Sequence, residues 1–89
     1  MLTTGGTGLA PRDVTPEATS ALLDRPAPGL CELLLRAAME HEPLARLARA
    51  AAGVRGKTLV VNLPGRPKAV RENLATLMPL LGHALLELG

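Results

Sequence analysis

Two short stretches of this sequence combine residue types that hold phosphate groups and the cations that accompany them. The first is TTGGTGLAPRDVTPEA, where Thr4, Gly5, Gly6, Thr7 and Gly8 set small hydroxyls beside unobstructed backbone N–H groups, and Asp13 follows five residues on. Adjacent glycines let the backbone turn its N–H groups toward a ligand with no side chain in the way. Asp13 stands just ahead of a helix start, where partial positive charge collects. Its carboxylate can fix the loop or cap that helix, or it can hold Mg²⁺ beside phosphates. The second stretch is NLPGRPKAVRE. Asn62 offers a donor and an acceptor, while Pro64 and Gly65 shape a turn.

Other arrangements of chemistry-bearing residues fail on spacing. GVRGKT, residues 53–58, ends like a phosphate-binding P-loop, but the glycine that pattern needs at position 51 is Ala51. A P-loop also follows a strand, and this one precedes it. Gly53 and Gly56 therefore read as a helix stop and a turn. Gly6-Thr7-Gly8 lacks the third glycine of a dinucleotide fingerprint, because Pro11 stands there. His41 and His83 have no partners at metal-ligand spacing and read as surface or helix-end residues.

The elements that must position the two loops follow from periodicity. Thr15 as N-cap and Pro16 at the first helical position open a short helix over residues 15–24, with Glu17 in its first turn. PAPG, residues 26–29, breaks the chain. LCELLLRAAMEHE is a second helix with Leu30, Leu33, Leu34, Ala37 and Ala38 on one face. PLARLARAAA reads as a third, closed by Gly53. TLVVNL, residues 58–63, is short, β-branched and nearly continuous in apolar character, as in a strand buried on both faces. Residues 67–88 form a final helix with a stripe of Val70, Leu74, Leu77, Met78, Leu81 and Leu85, which Pro79 should kink or split. In open α/β sheets ligands sit outside the carboxyl ends of the strands. If TTGGTG also ends a strand, both loops lie on one sheet edge and make a cleft for a phosphate-bearing ligand.

Composition narrows the classes. The 89 residues include no Phe, Tyr or Trp, so the core is built from Leu, Val, Ala and Met. Base-stacking platforms for single-stranded nucleic acid are excluded. Cys31 is the only cysteine, which rules out an internal disulfide and fits a reducing, cytoplasmic setting. No apolar run reaches the roughly 18 residues of a membrane span, and the first residues do not read as a signal peptide. Residues 1–42 carry three basic side chains against six acidic ones, a net −3, whereas residues 43–71 carry seven basic side chains and no acid. That basic segment is either a solvated face or a flank for an anionic ligand.

TTGGTGLAPRDVTPEAT together with RGKTLVVNLPGRPKAVREN resembles the molybdopterin adenylyltransferase family, the Mog/MoaB-like domain also found in gephyrin. The resemblance covers essentially all 89 residues. It implies a three-layer α/β/α sandwich, a homotrimer, and transfer of AMP from ATP to molybdopterin with Mg²⁺ and release of pyrophosphate. By motif, Thr4, Gly5, Gly6, Thr7 and Gly8 would line the pterin and nucleotide pocket. Asp13 would be the catalytic and metal-binding acid, and Asn62, Pro64 and Gly65 would bind substrate from the second loop. Family members run to about twice this length, so residues 1–89 are expected to be the C-terminal portion of the domain. The alternative is a non-catalytic pterin-binding or oligomerisation unit.

Overall fold

A computed structural model describes all 89 residues. Four strands form one mixed sheet in the order β1-β4-β3-β2, with β1 at Leu2–Thr4, β2 at Arg25–Pro26, β3 at Ala52–Arg55 and β4 at Thr58–Leu63. The helices are α1 (Thr15–Ser20), α2 (Pro28–Met39) and α3 (Pro67–Leu88), and a 3₁₀ turn spans Pro43–Leu47. β1 runs parallel to β4, with Thr3 opposite Asn62 and Thr4 opposite Leu63. The stub ahead of the glycines is therefore a strand, and both glycine loops leave the sheet at the same edge.

β4 is the central strand, buried from Leu59 to Leu63. Its side chains alternate between faces. Leu59, Val61 and Leu63 join Leu34 of α2, Leu77 of α3 and Ala52 in the main core. Asn62 points the other way, to Thr19 of α1. Helices thus cover both faces, and the chain is an α/β fold in three layers. Val61, Leu63 and Leu77 are essentially inaccessible to water, and burying each contributes about 1.5–3 kcal/mol.

Several local expectations are corrected. The segment after Pro43 is helical only to Leu47, and residues 52–55 are a strand. The alanine run there reads as helix by propensity, but pairing with β4 overrides it. Gly53 is accordingly not a helix stop. A Cβ on it would lie 2.4 Å from the Arg25 carbonyl oxygen, so the glycine admits β2 against β3. Gly56 is the expected turn, with φ +59° in the two-residue connection to β4. α1 ends at Ser20 rather than at 24, and Val14, not Thr15, is its N-cap. α3 continues through Pro79 without being split. Met78 and Leu85 of its expected stripe are exposed, and Asn73, Ala84 and Leu88 turn inward instead. No helix is long and apolar enough to cross a membrane.

Candidate functional site

The two glycine loops touch. Gly5 donates its N–H to the Leu63 carbonyl at 3.1 Å, which carries the β1–β4 ladder one residue past the strand. A Cβ on Gly65 would lie 3.4 Å from Gly5 Cα, so the loops meet glycine against glycine. Gly5 and Gly6 adopt φ of +84° and +70°, the left-handed region that favours glycine. Gly6 has a further constraint, because a Cβ there would sit 2.0 Å from Thr15 Oγ1. Its carbonyl accepts the Thr15 N–H at 3.1 Å, so α1 starts pressed against the loop.

A cleft of about 750 Å³ opens at this junction. Gly5, Gly6, Thr7, Gly8 and Asp13 line it from the first loop, and Asn62, Pro64 and Gly65 from the second. Thr4 ends β1, is exposed, and does not line the cleft. The opposite wall comes from α2 and the 3₁₀ segment, including Cys31, Leu34, Leu35, Leu44 and Leu47. Burial raises the Cys31 thiol above its ordinary pKa, which keeps it protonated and weakly nucleophilic at neutral pH.

Within the first loop the N–H groups of Gly6, Thr7, Gly8 and Leu9 have no partner in the protein, and all four residues line the cleft. Asp13 closes the next turn. Its Oδ2 accepts the Ala10 N–H at 3.2 Å while its own N–H donates to the Ala10 carbonyl at 2.9 Å. A Cβ on Gly8 would meet that carboxylate at 2.7 Å, so Gly8 leaves room for Asp13 to lie over the loop. Oδ1 of Asp13 has no protein partner.

Asn62 is placed differently from a ligand-facing amide. It is 1% exposed, and its side chain is committed within the fold. Oδ1 accepts the Ala51 N–H at 3.0 Å, and Nδ2 donates to Thr3 Oγ1 at 2.8 Å and Thr19 Oγ1 at 3.0 Å. The amide ties β1, α1 and the approach to β3 together behind the cleft. A polar residue inside an otherwise apolar buried strand requires such partners.

Arg49 was visible in the sequence only as one of seven basic residues. It donates its backbone N–H to the Thr7 carbonyl at 2.7 Å and Nε to the Gly8 carbonyl at 3.0 Å. Nη2 reaches the Asp13 carbonyl, and Nη1 pairs with Glu17 Oε2 at 2.5 Å. The hydrogen bond from Arg49 lowers the pKa of Glu17 below the ordinary carboxylate value, and the guanidinium charge adds to it. Of the seven basic residues only Arg49 and Arg66 line the cleft. Arg55 instead caps the Leu22 carbonyl, and Lys68 faces Glu72 on α3.

No cluster of three or more His, Cys, Asp or Glu side chains could hold a metal ion by itself. Mg²⁺ does not require one, since it commonly binds through one or two carboxylates and completes its shell with phosphate oxygens and water. The partnerless Oδ1 of Asp13 beside free loop N–H groups fits that mode.

This geometry can be set beside known proteins. A family model described as "probable molybdopterin binding domain" matches residues 1–83. The chain belongs to that family. Within it, the chain is 48% identical over 85 residues to gephyrin of Dictyostelium discoideum, covering 96% of this chain and 12% of the relative. It is 44% identical over 85 residues to molybdopterin adenylyltransferase of Helicobacter pylori, covering 96% of this chain and 48% of that protein. The molybdopterin biosynthesis Mog protein of Mycobacterium ulcerans superposes with a TM-score of 0.95 at 45% identity, over 99% of this chain and 58% of that one. This member of the molybdopterin-binding family thus spans about half the length of the adenylyltransferase and of the solved structure.

Proposed function

We propose that this chain acts in molybdenum cofactor biosynthesis, binding molybdopterin and Mg-ATP in the cleft between its two glycine loops and serving transfer of AMP to the pterin phosphate. One observation carries the reading. Four consecutive loop N–H groups without protein partners lie beside the Asp13 carboxylate, where the ends of two parallel strands meet. That arrangement suits phosphate groups and their counter-cation. In the reaction a pterin phosphate oxygen bonds to the α-phosphorus of ATP as the bond to the pyrophosphate oxygen breaks. The step asks for alignment and charge neutralisation rather than a covalent group. The loop N–H groups of residues 6–9 would take up negative charge on phosphate oxygens. Asp13 Oδ1 would hold Mg²⁺, whose bound form supplies charge neutralisation for the phosphates. Asn62 would act behind the surface by keeping the strands that present both loops in register. The reading includes the homotrimer of the resembling family, which sedimentation velocity would report as a single species of three times the chain mass.

Pyrophosphate release on mixing the protein with molybdopterin and Mg-ATP tests the proposal. Release that disappears in Asp13→Asn, with the thermal melt unchanged, supports it. A wild-type protein that neither releases pyrophosphate nor is stabilised by molybdopterin refutes it. A second reading, binding of the pterin without transfer, is favoured by one observation: between the strands and the helices that follow them, residues 5–14 and 64–66, Asp13 is the single carboxylate, and the other carboxylates lining the cleft, Glu32, Glu42 and Glu72, come from outside the two loops. It predicts that molybdopterin raises the melting temperature while no pyrophosphate appears.

A further inference from the structure

The carbonyl groups of the first loop are not idle. Gly6 O is held by the Thr15 N–H, Thr7 O by the Arg49 N–H, and Gly8 O by Arg49 Nε. In a planar trans peptide the carbonyl and the following N–H point in opposite directions. Holding the Thr7 and Gly8 carbonyls therefore aims the N–H groups of Gly8 and Leu9 away from Arg49. The same guanidinium holds the Asp13 carbonyl through Nη2, which fixes the backbone that carries the carboxylate. Arg49 thus engages the loop at three points, Thr7 through its backbone N–H and Gly8 and Asp13 through its guanidinium, and the two guanidinium contacts close separations of 41 and 36 residues.

We infer that Arg49 is the positioning residue of this loop, acting on the ligand through the peptide planes it fixes rather than by contact or charge. The inference rests on the cleft being the phosphate-binding site proposed above. Two features separate this role from simple anion attraction. Every nitrogen of the guanidinium has a protein acceptor, and Glu17 balances its charge. An arginine placed to attract anions would keep its fork free for them. The role also needs arginine, because only a rigid fork reaches two carbonyls and a carboxylate at once, whereas a lysine ammonium is a point donor.

The test uses the whole 89-residue chain as wild type, Arg49→Lys and Arg49→Ala. Backbone ¹⁵N relaxation without ligand reports loop order, and titration with pyrophosphate reports anion binding. The expected result is a retained fold by circular dichroism, with loss of order confined to residues 8–13 in both variants, because the backbone bonds to the Gly6 and Thr7 carbonyls persist. Pyrophosphate affinity should fall by on the order of tenfold or more, as misplaced binding groups cost, and lysine should not rescue it. Arg49→Lys matching wild type in loop order and affinity would overturn the inference, since charge alone would then suffice. A lowered melting temperature with loop order unchanged would also overturn it. If Arg49→Ala does not fold, Arg49→Lys carries the comparison. The two ideas fail separately: a wild type indifferent to pyrophosphate, with loop order still lost in Arg49→Lys, removes the phosphate site and leaves the clamp. Ordered variants with wild-type binding do the reverse.

Discussion

Gly5 and Gly6 are neighbours in one motif, yet they tolerate a methyl group differently. Nothing lies within 4 Å of a Cβ on Gly5, so Gly5→Ala pays only for its positive φ, about 1–2 kcal/mol. Gly6→Ala adds a collision with Thr15 Oγ1, which raises the loss to about 3 kcal/mol or more. Chemical denaturation of the two variants should show that order. Asn62→Leu keeps the number and branching of side-chain heavy atoms but strands the Ala51 N–H and the two threonine hydroxyls, and about 2–3 kcal/mol should be lost in the same assay. Glu17 gives a pH signature. Its pKa is lowered in the folded protein, so its contribution is complete above the unfolded value of about 4.3 and is lost as pH falls through the folded value. The melting temperature of wild type should exceed that of Glu17→Gln at neutral pH, and the gap should close in acid. At this scale the sequence was readable where a residue type has few uses. TTGG, Asp13 and PG announce loops and a carboxylate. Arg49 was not legible, because a surface arginine and a loop clamp look alike until residues 7–13 are folded against it.

Among the elements, β4 and α3 were the most legible, because each carries one uninterrupted pattern. TLVVNL is bounded by Gly56-Lys57 and Pro64-Gly65, and the final helix starts at a proline and shows a long apolar stripe. β2 and β3 were missed for physical reasons. β2 is two residues long and contains a proline, and β3 is an alanine-glycine segment whose strand character comes from its neighbours in the sheet. Pro79 tests the balance between propensity and packing in α3. It is exposed and lies inside a continuous helix, so Pro79→Ala restores a backbone hydrogen bond at no packing cost. A gain of about 1–3 kcal/mol is expected in thermal denaturation. Leu77, which is fully buried two positions earlier, should respond in the opposite sense. Leu77→Ala leaves a cavity between α3 and the sheet and costs about 2–5 kcal/mol.

For the molecule as a whole, the decisive arrangement is a parallel pair, β1 and β4, whose partners lie 59 residues apart. A shared sheet edge was inferable from two glycine loops that each needed a strand before them, whereas the direct pairing of β1 with β4 was not. The distribution of charge was not inferable, because the basic segment disperses over the 3₁₀ turn, the hairpin and α3 once folded. Only 14 of 89 residues are buried, so tertiary stability rests on few contacts and ligand occupancy should be visible in the melt. Asn62 now acquires a kinetic meaning. Its three side-chain bonds close chain separations of 11, 43 and 59 residues. The pairing of β1 with β4 cannot form until β4 has been synthesised, so the cleft does not exist on a nascent chain that has emerged only through the β3–β4 turn. Long-range closures of this kind are completed late, after the local hairpin and helices. A ligand seated in the cleft should therefore slow unfolding while leaving the rate of folding nearly unchanged.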